Sequence, residues 1–373
     1  MGARASIQPE INDQGLILRP WRVEDADAVH RACQDPAIQR WTRVPSPYLL
    51  EHAHYFITEH SRAAWETGTG APFAVVEPDT GDLLASCGLV SIDHVLSSAE
   101  VGYWTAPWAR GRGVATRATR AVSRWAFDDL GLRRVVWQAA VGNHASRLVA
   151  LRAGFRVEGH LRLADDGLDG WVGSLLPGDT LDPVIDEWVI RRARLFNGAQ
   201  PVLTATGGLR LRPPEARDFD AIVEACRDPE SVRWTTVPDP YERAHAEDFA
   251  LRITPAKWGR GEGVVYAIAD PDGAWSGSID LTISADDPLA GEVGFLAAPW
   301  VRGRGYTTAA LAAICAWGFR SLGLARIVWR AHVGNLASRR VAEKAGFTME
   351  GTQLGGLAHR GERKDAWVGG LVP

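Results

Sequence analysis

The sequence predicts an α/β protein made of two tandem copies of one fold, each a mixed, mainly antiparallel twisted sheet flanked by helices. Three observations carry that prediction. Residues 100–159 and 292–351 match at 35 of 60 positions without a gap, far beyond chance, so a domain-sized unit is repeated. Each copy contains β-rich runs separated by Asp/Gly turns, as in a meander of hairpins. Each then continues strand–helix–strand–helix–strand, the order of a layered α/β fold.

The elements follow in chain order. An opening strand, LILRP or LRLRP, leads into an acidic-capped helix over 24–32 or 215–225. A Pro-rich turn, VPSPY or VPDPY, precedes a second helix around 52–65 or 244–253. Three strands come next: APFAVVEP, DLLASCGLVSID and AEVGYWTA in copy one, and VVYAIADP, WSGSIDLTI and GEVGFLAA in copy two. After the loops APWARGRG and APWVRGRG come a helix, a β-rich run (RRVVWQAAV; ARIVWRAHV), a further helix and closing strands. The Pro, Gly and Thr punctuation around 180–205 marks the join. It gives domains over 1–180 and 206–373 with a linker over 181–205, of which 184–196 reads as a short helix.

Composition narrows the function classes. With 373 residues, 46% hydrophobic and 23% charged, the chain has ample material for two cores. A net charge of −4 gives no support for binding nucleic acid through bulk charge. Cys33, Cys87, Cys226 and Cys315 lie far apart with no CxxC pair, which argues against a metal site or disulfide framework and fits a reducing compartment. No window approaches a membrane span and the first residues lack an apolar signal core, so the expectation is a cytoplasmic protein with no membrane partner. Gly2 and Ser6 complete a myristoylation pattern, but no polybasic segment or second anchor accompanies them.

The RGRG loop carries the first functional signal. It lies between a strand and a helix, where the first four helix N–H groups lack intrahelical partners and the dipole places partial positive charge. Gly111 and Gly113 let a ligand approach the backbone, and Arg110 and Arg112 add charge. Such a loop suits a phosphate or pyrophosphate; a solvated turn is the plainer reading, weakened by the loop's recurrence. There is no GK[ST] and no third glycine of a dinucleotide fingerprint. The loop resembles the acetyl-CoA loop of the GNAT acyltransferases, Q/R-x-x-G-x-G/A, filled by Arg110, Gly113 and Ala115. With EVGYW before it and VGN-x-A-S-R and AGF after, it resembles the ribosomal-protein acetyltransferase (RimJ/RimL) branch, over nearly the whole chain, twice.

The resemblance implies acetyl-CoA as co-substrate and a primary amine as acceptor, either a peptide or protein N-terminus or a small molecule. It implies that the backbone of Arg110, Gly111, Arg112, Gly113, Val114 and Ala115 holds the CoA pyrophosphate. Arg302, Gly303, Arg304, Gly305, Tyr306 and Thr307 take that role in copy two, although Thr307 stands where Gly or Ala is usual. Asn143 and Asn335 would contact the pantetheine arm.

Amine acetylation needs a neutral amine, a polarised thioester and a proton for the departing thiolate. Holding the reactants together and donating strand N–H groups to the oxyanion supply much of the acceleration. Glu100 and Glu292, at the start of the strand leading to the loop, are candidate general bases acting through water, or else strand-end salt-bridge carboxylates. Ser146 and Ser338 resemble the family's thiolate-protonating position, and Ser is also a common helix N-cap. Trp41 and Trp234 sit where the family shapes its acceptor pocket, with plain packing as the other reading. An acetyl-Cys route through Cys87 has no matching residue in copy two, so buried filler suits that cysteine better.

The copies differ along the helix after the loop. Arg117, Arg120 and Arg124 lie on one face in copy one, where copy two has Ala309, Ala312 and Ala316. Either the apolar helix 306–318 docks on another surface, giving an intrachain pseudo-dimer, or the arginines help hold CoA in copy one alone. A regulatory or scaffolding protein that binds acyl-CoA without turnover in one or both domains is the alternative to an enzyme.

Overall fold

A computed structural model describes residues 8–165 and 168–373, and the Gly2 pattern lies outside them. The chain divides into two compact units, 1–186 and 187–373. The first contains β1 (Ile11–Asp13), β2 (Leu16–Arg19), α1 (Ala26–Cys33), α2 (Pro36–Trp41), α3 (Leu50–Tyr55), α4 (Ser61–Thr67), β3 (Ala71–Val76), β4 (Leu83–Asp93) and β5 (Ser98–Thr105). It continues with α5 (Val114–Asp128), β6 (Arg134–Ala140), α6 (His144–Arg152), β7 (Arg156–Asp165) and β8 (Leu168–Leu175). The second contains α7 (Glu187–Phe196), β9 (Leu203–Thr204), β10 (Arg210–Arg212), α8 (Phe219–Arg227), α9 (Pro229–Trp234), α10 (Arg243–Asp248), α11 (Thr254–Arg260), β11 (Gly263–Ala269), β12 (Trp275–Ile283) and β13 (Ala290–Ala297). It ends with α12 (Tyr306–Trp317), β14 (Arg326–His332), α13 (Leu336–Lys344), β15 (Thr348–His359) and β16 (Glu362–Leu371).

Each unit is one eight-stranded sheet, ordered β1-β2-β3-β4-β5-β6-β8-β7 and β9-β10-β11-β12-β13-β14-β16-β15. Among the described residues, only β5–β6 and β13–β14 run parallel. A helix must return the chain between parallel neighbours, and α5 and α12 do so. The expected mixed, mainly antiparallel sheet flanked by helices is present twice.

A buried ion pair fixes the entry to each unit. Arg19 on β2 donates two hydrogen bonds of 2.8 Å to Asp25, which also accepts from the Arg22 backbone N–H at 2.9 Å. Arg212, Asp218 and the Glu215 N–H repeat this at 2.7, 2.8 and 2.8 Å. The helix expected over 24–32 therefore begins as a tight turn before α1. Trp125, Trp137, Trp317 and Trp329 are all buried in the cores. Trp125 also meets Trp65 and Phe73, with ring centroids 5.8 and 5.4 Å away; such pairs add about 0.5–1.5 kcal/mol each beyond burial.

Within 181–205, read as a linker with a short helix over 184–196, that helix is α7 (Glu187–Phe196), and it groups with β9 in the second unit. Arg192 donates to the carbonyls of Leu322 at 2.8 Å and Pro288 at 2.6 Å, and the Phe196 ring lies 4.7 Å from Trp258. An amphipathic helix buries its apolar face where one is available. Another departure is the α2/α9 pair, one short helix per unit. Pro36 and Pro229 occupy the first helical position, where their missing N–H costs nothing. Asp35 caps α2 by accepting from Ala37 and Ile38, and Asp228 caps α9 by accepting from Ser231.

Candidate active site

The site forms where a parallel ladder stops. β5 pairs with β6 only from Ser98/Arg134 to Val101/Trp137. Beyond that point β5 stays with β4 as far as Thr105, and β6 stays with β8 as far as Ala140. The strands part, and the Gly102–Thr105 edge facing β6 carries backbone groups without a strand partner among the described residues. β13 and β14 part in the same way after Val293/Trp329.

The APW-RGRG loop leads from the parted strand to the next helix. Gly113 precedes α5 with φ +73°, and no side chain caps that helix. Gly305 precedes α12 with φ +80°, again without a side-chain cap. Gly111 and Gly303 are left-handed too, at φ +76° and +82°. A Cβ placed on any of these four would meet no atom within 4 Å. The result is an open, donor-rich cradle at a helix N-terminus, which suits an anion.

The arginine side chains do a different job from the one charge alone suggests. Arg110 grips Asp35 at 2.6 and 3.1 Å, and Arg302 reaches Asp228 at 2.5 Å. Each guanidinium holds its aspartate below the usual carboxylate range and braces the loop against a helix cap. Arg112 pairs with Glu77, whereas Arg304 is exposed. Val114 is buried, Tyr306 half-buried, and Ala115 is more exposed than Thr307, which is 8% exposed within the first turn of α12.

The arginines of α5 reach mainly away from the loop, although Arg117 also donates to the Arg112 carbonyl at 3.4 Å. Arg117 donates to the Gln14 carbonyl at 2.5 Å, Arg120 to the Arg152 carbonyl at 2.6 Å and Asp182 at 2.5 Å, and Arg124 to Asp13 at 2.7 Å. They tie α5 to its own unit. On α12, Ala312 is exposed and Ala309 and Ala316 are half-buried beside Leu203, Thr204 and Ala205. The helix is therefore partly covered by β9, a strand of its own unit.

Across the wedge, Asn143 rather than Ser146 is the N-cap of α6: its Oδ1 accepts from the Ser146 N–H at 3.1 Å. Asn335 caps α13 through Ser338 at the same distance. This frees each serine hydroxyl for other partners. Ser146 Oγ accepts from Trp137 Nε1 at 3.0 Å and lies 3.0 Å from the Tyr103 hydroxyl. Tyr103 also donates to the Ser146 carbonyl at 3.1 Å, and burial pushes its phenol up, so it stays a neutral donor. Ser338 Oγ accepts from Trp329 Nε1 at 3.1 Å, but Phe295 stands opposite where Tyr103 would be. Neither the tyrosine nor the indole donors follow from motif spacing; the Tyr/Phe mismatch inside EVG-[YF] was the available signal.

Successive β5 side chains point to opposite faces. Val101 and Tyr103 face the α5–α6 side; Glu100 and Trp104 face the other, where Trp104 lies 6.5 Å from Trp21. Both glutamates are half-buried, and Glu292 is gripped by both Nε (3.1 Å) and the terminal nitrogen of Arg330. Trp41 lies over the turn before Asn143, since a Cβ on Gly142 would come 3.3 Å from its ring. Trp234 holds the corresponding place near Gly334, 6.2 Å from His332. The structure thus gathers each Trp, Asn and Ser around one wedge, with the glutamate on the opposite strand face. Cys87 does not join them: it is fully buried, its thiol is pushed up to about 12 by desolvation, and Thr119 Oγ1 is 3.9 Å away.

Comparison with known proteins gives the family. The family model described as an acetyltransferase (GNAT) domain matches residues 15–156 and 208–348. A putative ribosomal N-acetyltransferase of Bacillus subtilis, YdaF, is 46% identical over 85 residues, 22% of this chain and 45% of that protein. The ribosomal-protein-serine acetyltransferase of Escherichia coli is 31% identical over 100 residues, 27% of this chain and 55% of its own length. For these two relatives the match spans about half their length. The E. coli spermidine N(1)-acetyltransferase is 28% identical over 148 residues, covering 39% of this chain and 74% of that one. Among solved structures, a putative ribosomal-protein-serine acetyltransferase from Vibrio cholerae aligns at 25% identity with a TM-score of 0.42, over 45% of this chain and 97% of that chain. No described helix is long and apolar enough to cross a membrane. The chain belongs to the GNAT acetyltransferase family, and it carries two of the family's domains in tandem.

Proposed function

We propose that the chain is an acetyl-CoA-dependent N-acetyltransferase that acts on a primary amine, by direct attack within a ternary complex. One observation carries this reading: the β5–β6 ladder opens immediately before an uncapped helix N-terminus whose two left-handed glycines face open space. A slot with a free strand edge, ending at an anion cradle, fits an elongated acyl thioester with a pyrophosphate. The residues present fit that group. Backbone N–H groups of Arg110–Ala115, and of Arg302–Thr307, would hold the pyrophosphate, with Arg110 and Arg302 bracing the loops. Asn143 and Asn335 keep an amide –NH2 for the pantetheine arm, because their oxygens serve as helix caps.

Acetyl-CoA supplies an activated acetyl group; the chain supplies position and proton transfer. Glu100 takes the proton that the amine nitrogen loses, through water. Strand N–H groups beyond Val101 donate to the carbonyl oxygen as the N–C bond forms and the C–S bond breaks. Ser146, held by Trp137 and Tyr103, hydrogen-bonds the departing sulfur and passes it a proton that water restores, while Glu100 returns the amine's proton to solvent, yielding CoA thiol and an N-acetyl amide. Trp41 lines the acceptor side. The named activities of the relatives, on ribosomal protein and on spermidine, favour an amine acceptor, either a protein N-terminus or a small molecule.

Thiol release from acetyl-CoA, measured across N-terminal peptides, polyamines and aminoglycosides, tests the reading. At least one amine accelerates release by the full chain, and Glu100→Gln lowers that rate by roughly 10²–10⁴-fold. Release no faster with any amine than in water would refute it.

A further inference from the structure

In the second unit a carboxylate stands where the strands part. The β13–β14 ladder ends at Val293/Trp329, so Gly294 is the first residue of β13 beyond it. Asp280 faces Gly294 across the β12–β13 pair, and residues directly opposite in such a pair share one face of the sheet. Asp280 therefore lies on the face of Glu292. The other face carries Val293 and Trp329, whose indole donates to Ser338. Gly294 has no side chain, and a Cβ there would come 2.7 Å from Asp280 Oδ1. That oxygen thus overlies the backbone at the mouth of the slot.

The two oxygens of Asp280 are used differently. Oδ2 accepts from Lys257 Nζ at 2.8 Å and from Thr282 Oγ1 at 3.0 Å, and no described residue donates to Oδ1. The Lys257–Asp280 pair is balanced in charge, and Oδ1 keeps its lone pairs for a further donor. The Asp280 side chain is 34% exposed against 16% for Lys257. The carboxylate is anchored through one oxygen and open at the other. Glu292, the candidate base by sequence, is instead held through both oxygens by Arg330. In the first unit Val90 takes the place over the strand, since a Cβ on Gly102 would come 2.5 Å from its Cγ1.

We propose that Asp280 binds the acceptor amine of the second unit and takes its proton. This rests on the acetyltransferase reading above. The amine nitrogen hydrogen-bonds Oδ1 and attacks the thioester carbonyl from that face. As the N–C bond forms, the nitrogen's proton passes to Oδ1 and from there to water. The C–S bond breaks toward the other face, where Ser338 passes the sulfur a proton that water restores. Proton uptake and proton delivery then occupy opposite faces of one strand.

The full chain tests this in a Glu100→Gln/Ser146→Ala background, which removes both proton-transfer groups of the first unit. Amine-dependent thiol release that persists there belongs to the second unit. Adding Asp280→Asn, which preserves the shape of the side chain, lowers the remaining kcat at least about 100-fold. Calorimetry finds the same number of acetyl-CoA molecules bound as in the background, and the thermal midpoint is unchanged. With Asp280→Ala instead, added formate raises the rate at least about tenfold, a gain that a merely structural ion pair would not show. An unchanged kcat in the asparagine variant would overturn the proposal, as would the loss of an acetyl-CoA site or a rate in the alanine variant that formate does not raise. A background without release, when the wild-type chain turns over, would overturn it too. A wild-type chain inert toward every amine would instead refute the acetyltransferase reading, and that result precedes any variant.

Discussion

Replacing Gly113 by alanine separates folding from cofactor binding. Gly113 has φ +73° and ψ 11°, a conformation that costs an L-residue roughly 1–2 kcal/mol. A Gly→Ala change recovers about 0.4–1 kcal/mol by restricting the unfolded chain. The added Cβ meets no protein atom within 4 Å, so no clash adds to the cost. The net loss is about 1 kcal/mol, or roughly 2–4 °C in Tm for a unit of this size. The same methyl group stands in the space offered to the pyrophosphate, and one of the two acetyl-CoA sites weakens at least tenfold, about 1.4 kcal/mol or more. Thermal unfolding without ligand and calorimetric titration of the full chain read the two effects separately. Gly88→Ala is the counter-case, because its Cβ would strike the Ala71 carbonyl oxygen and lie 2.7 Å from Pro72 Cα, so stability falls far more. Unchanged acetyl-CoA affinity in Gly113→Ala would refute the cradle.

Three further outcomes follow from the same structure. Asp218→Ala strands Arg212 in the interior and lowers the stability of the second unit by about 3–5 kcal/mol in urea unfolding, whereas Arg212→Met/Asp218→Leu recovers most of it; equal losses would show that the pair is not what matters. Asp35 is held below its ordinary value of 3.8, first by its hydrogen bond to Arg110, so its contribution is complete above that value and disappears as pH falls through the lowered one. Acid unfolding below about pH 4 is therefore less steep in Asp35→Asn, and an unchanged acid profile would count against the brace. All four cysteines are free and buried, with Cys87 raised to about 12. A thiol reagent at neutral pH accordingly finds them only after denaturation, and a fast-reacting Cys87 would reopen the covalent route.

Much of this was legible in the sequence because it depends on local chemistry. The 192-residue repeat, the Asp/Gly turns and the strand–helix order gave the sheet. The glycines between strand and helix gave the cradle, since an uncapped N-terminus and a left-handed turn are properties of a few adjacent residues. The assignment of roles within the wedge was less accessible. Asp35 and Arg110 are 75 positions apart, and Arg110 reads as a loop charge until the fold joins it to Asp35. Ser146 reads as an N-cap until Asn143 is seen to fill that place, leaving its hydroxyl to Trp137 and Tyr103.

By itself, then, the sequence determined the duplicated α/β architecture, the two glycine-bearing strand-to-helix loops and the family. Those features follow from spacing, turn chemistry and periodicity along the chain. Only the tertiary structure decided which arginines brace the loops and what holds Glu292. Whether Arg330 holds Glu292 depends on neighbouring strands bringing residues 38 positions apart onto one face, a geometric fact that no local pattern encodes.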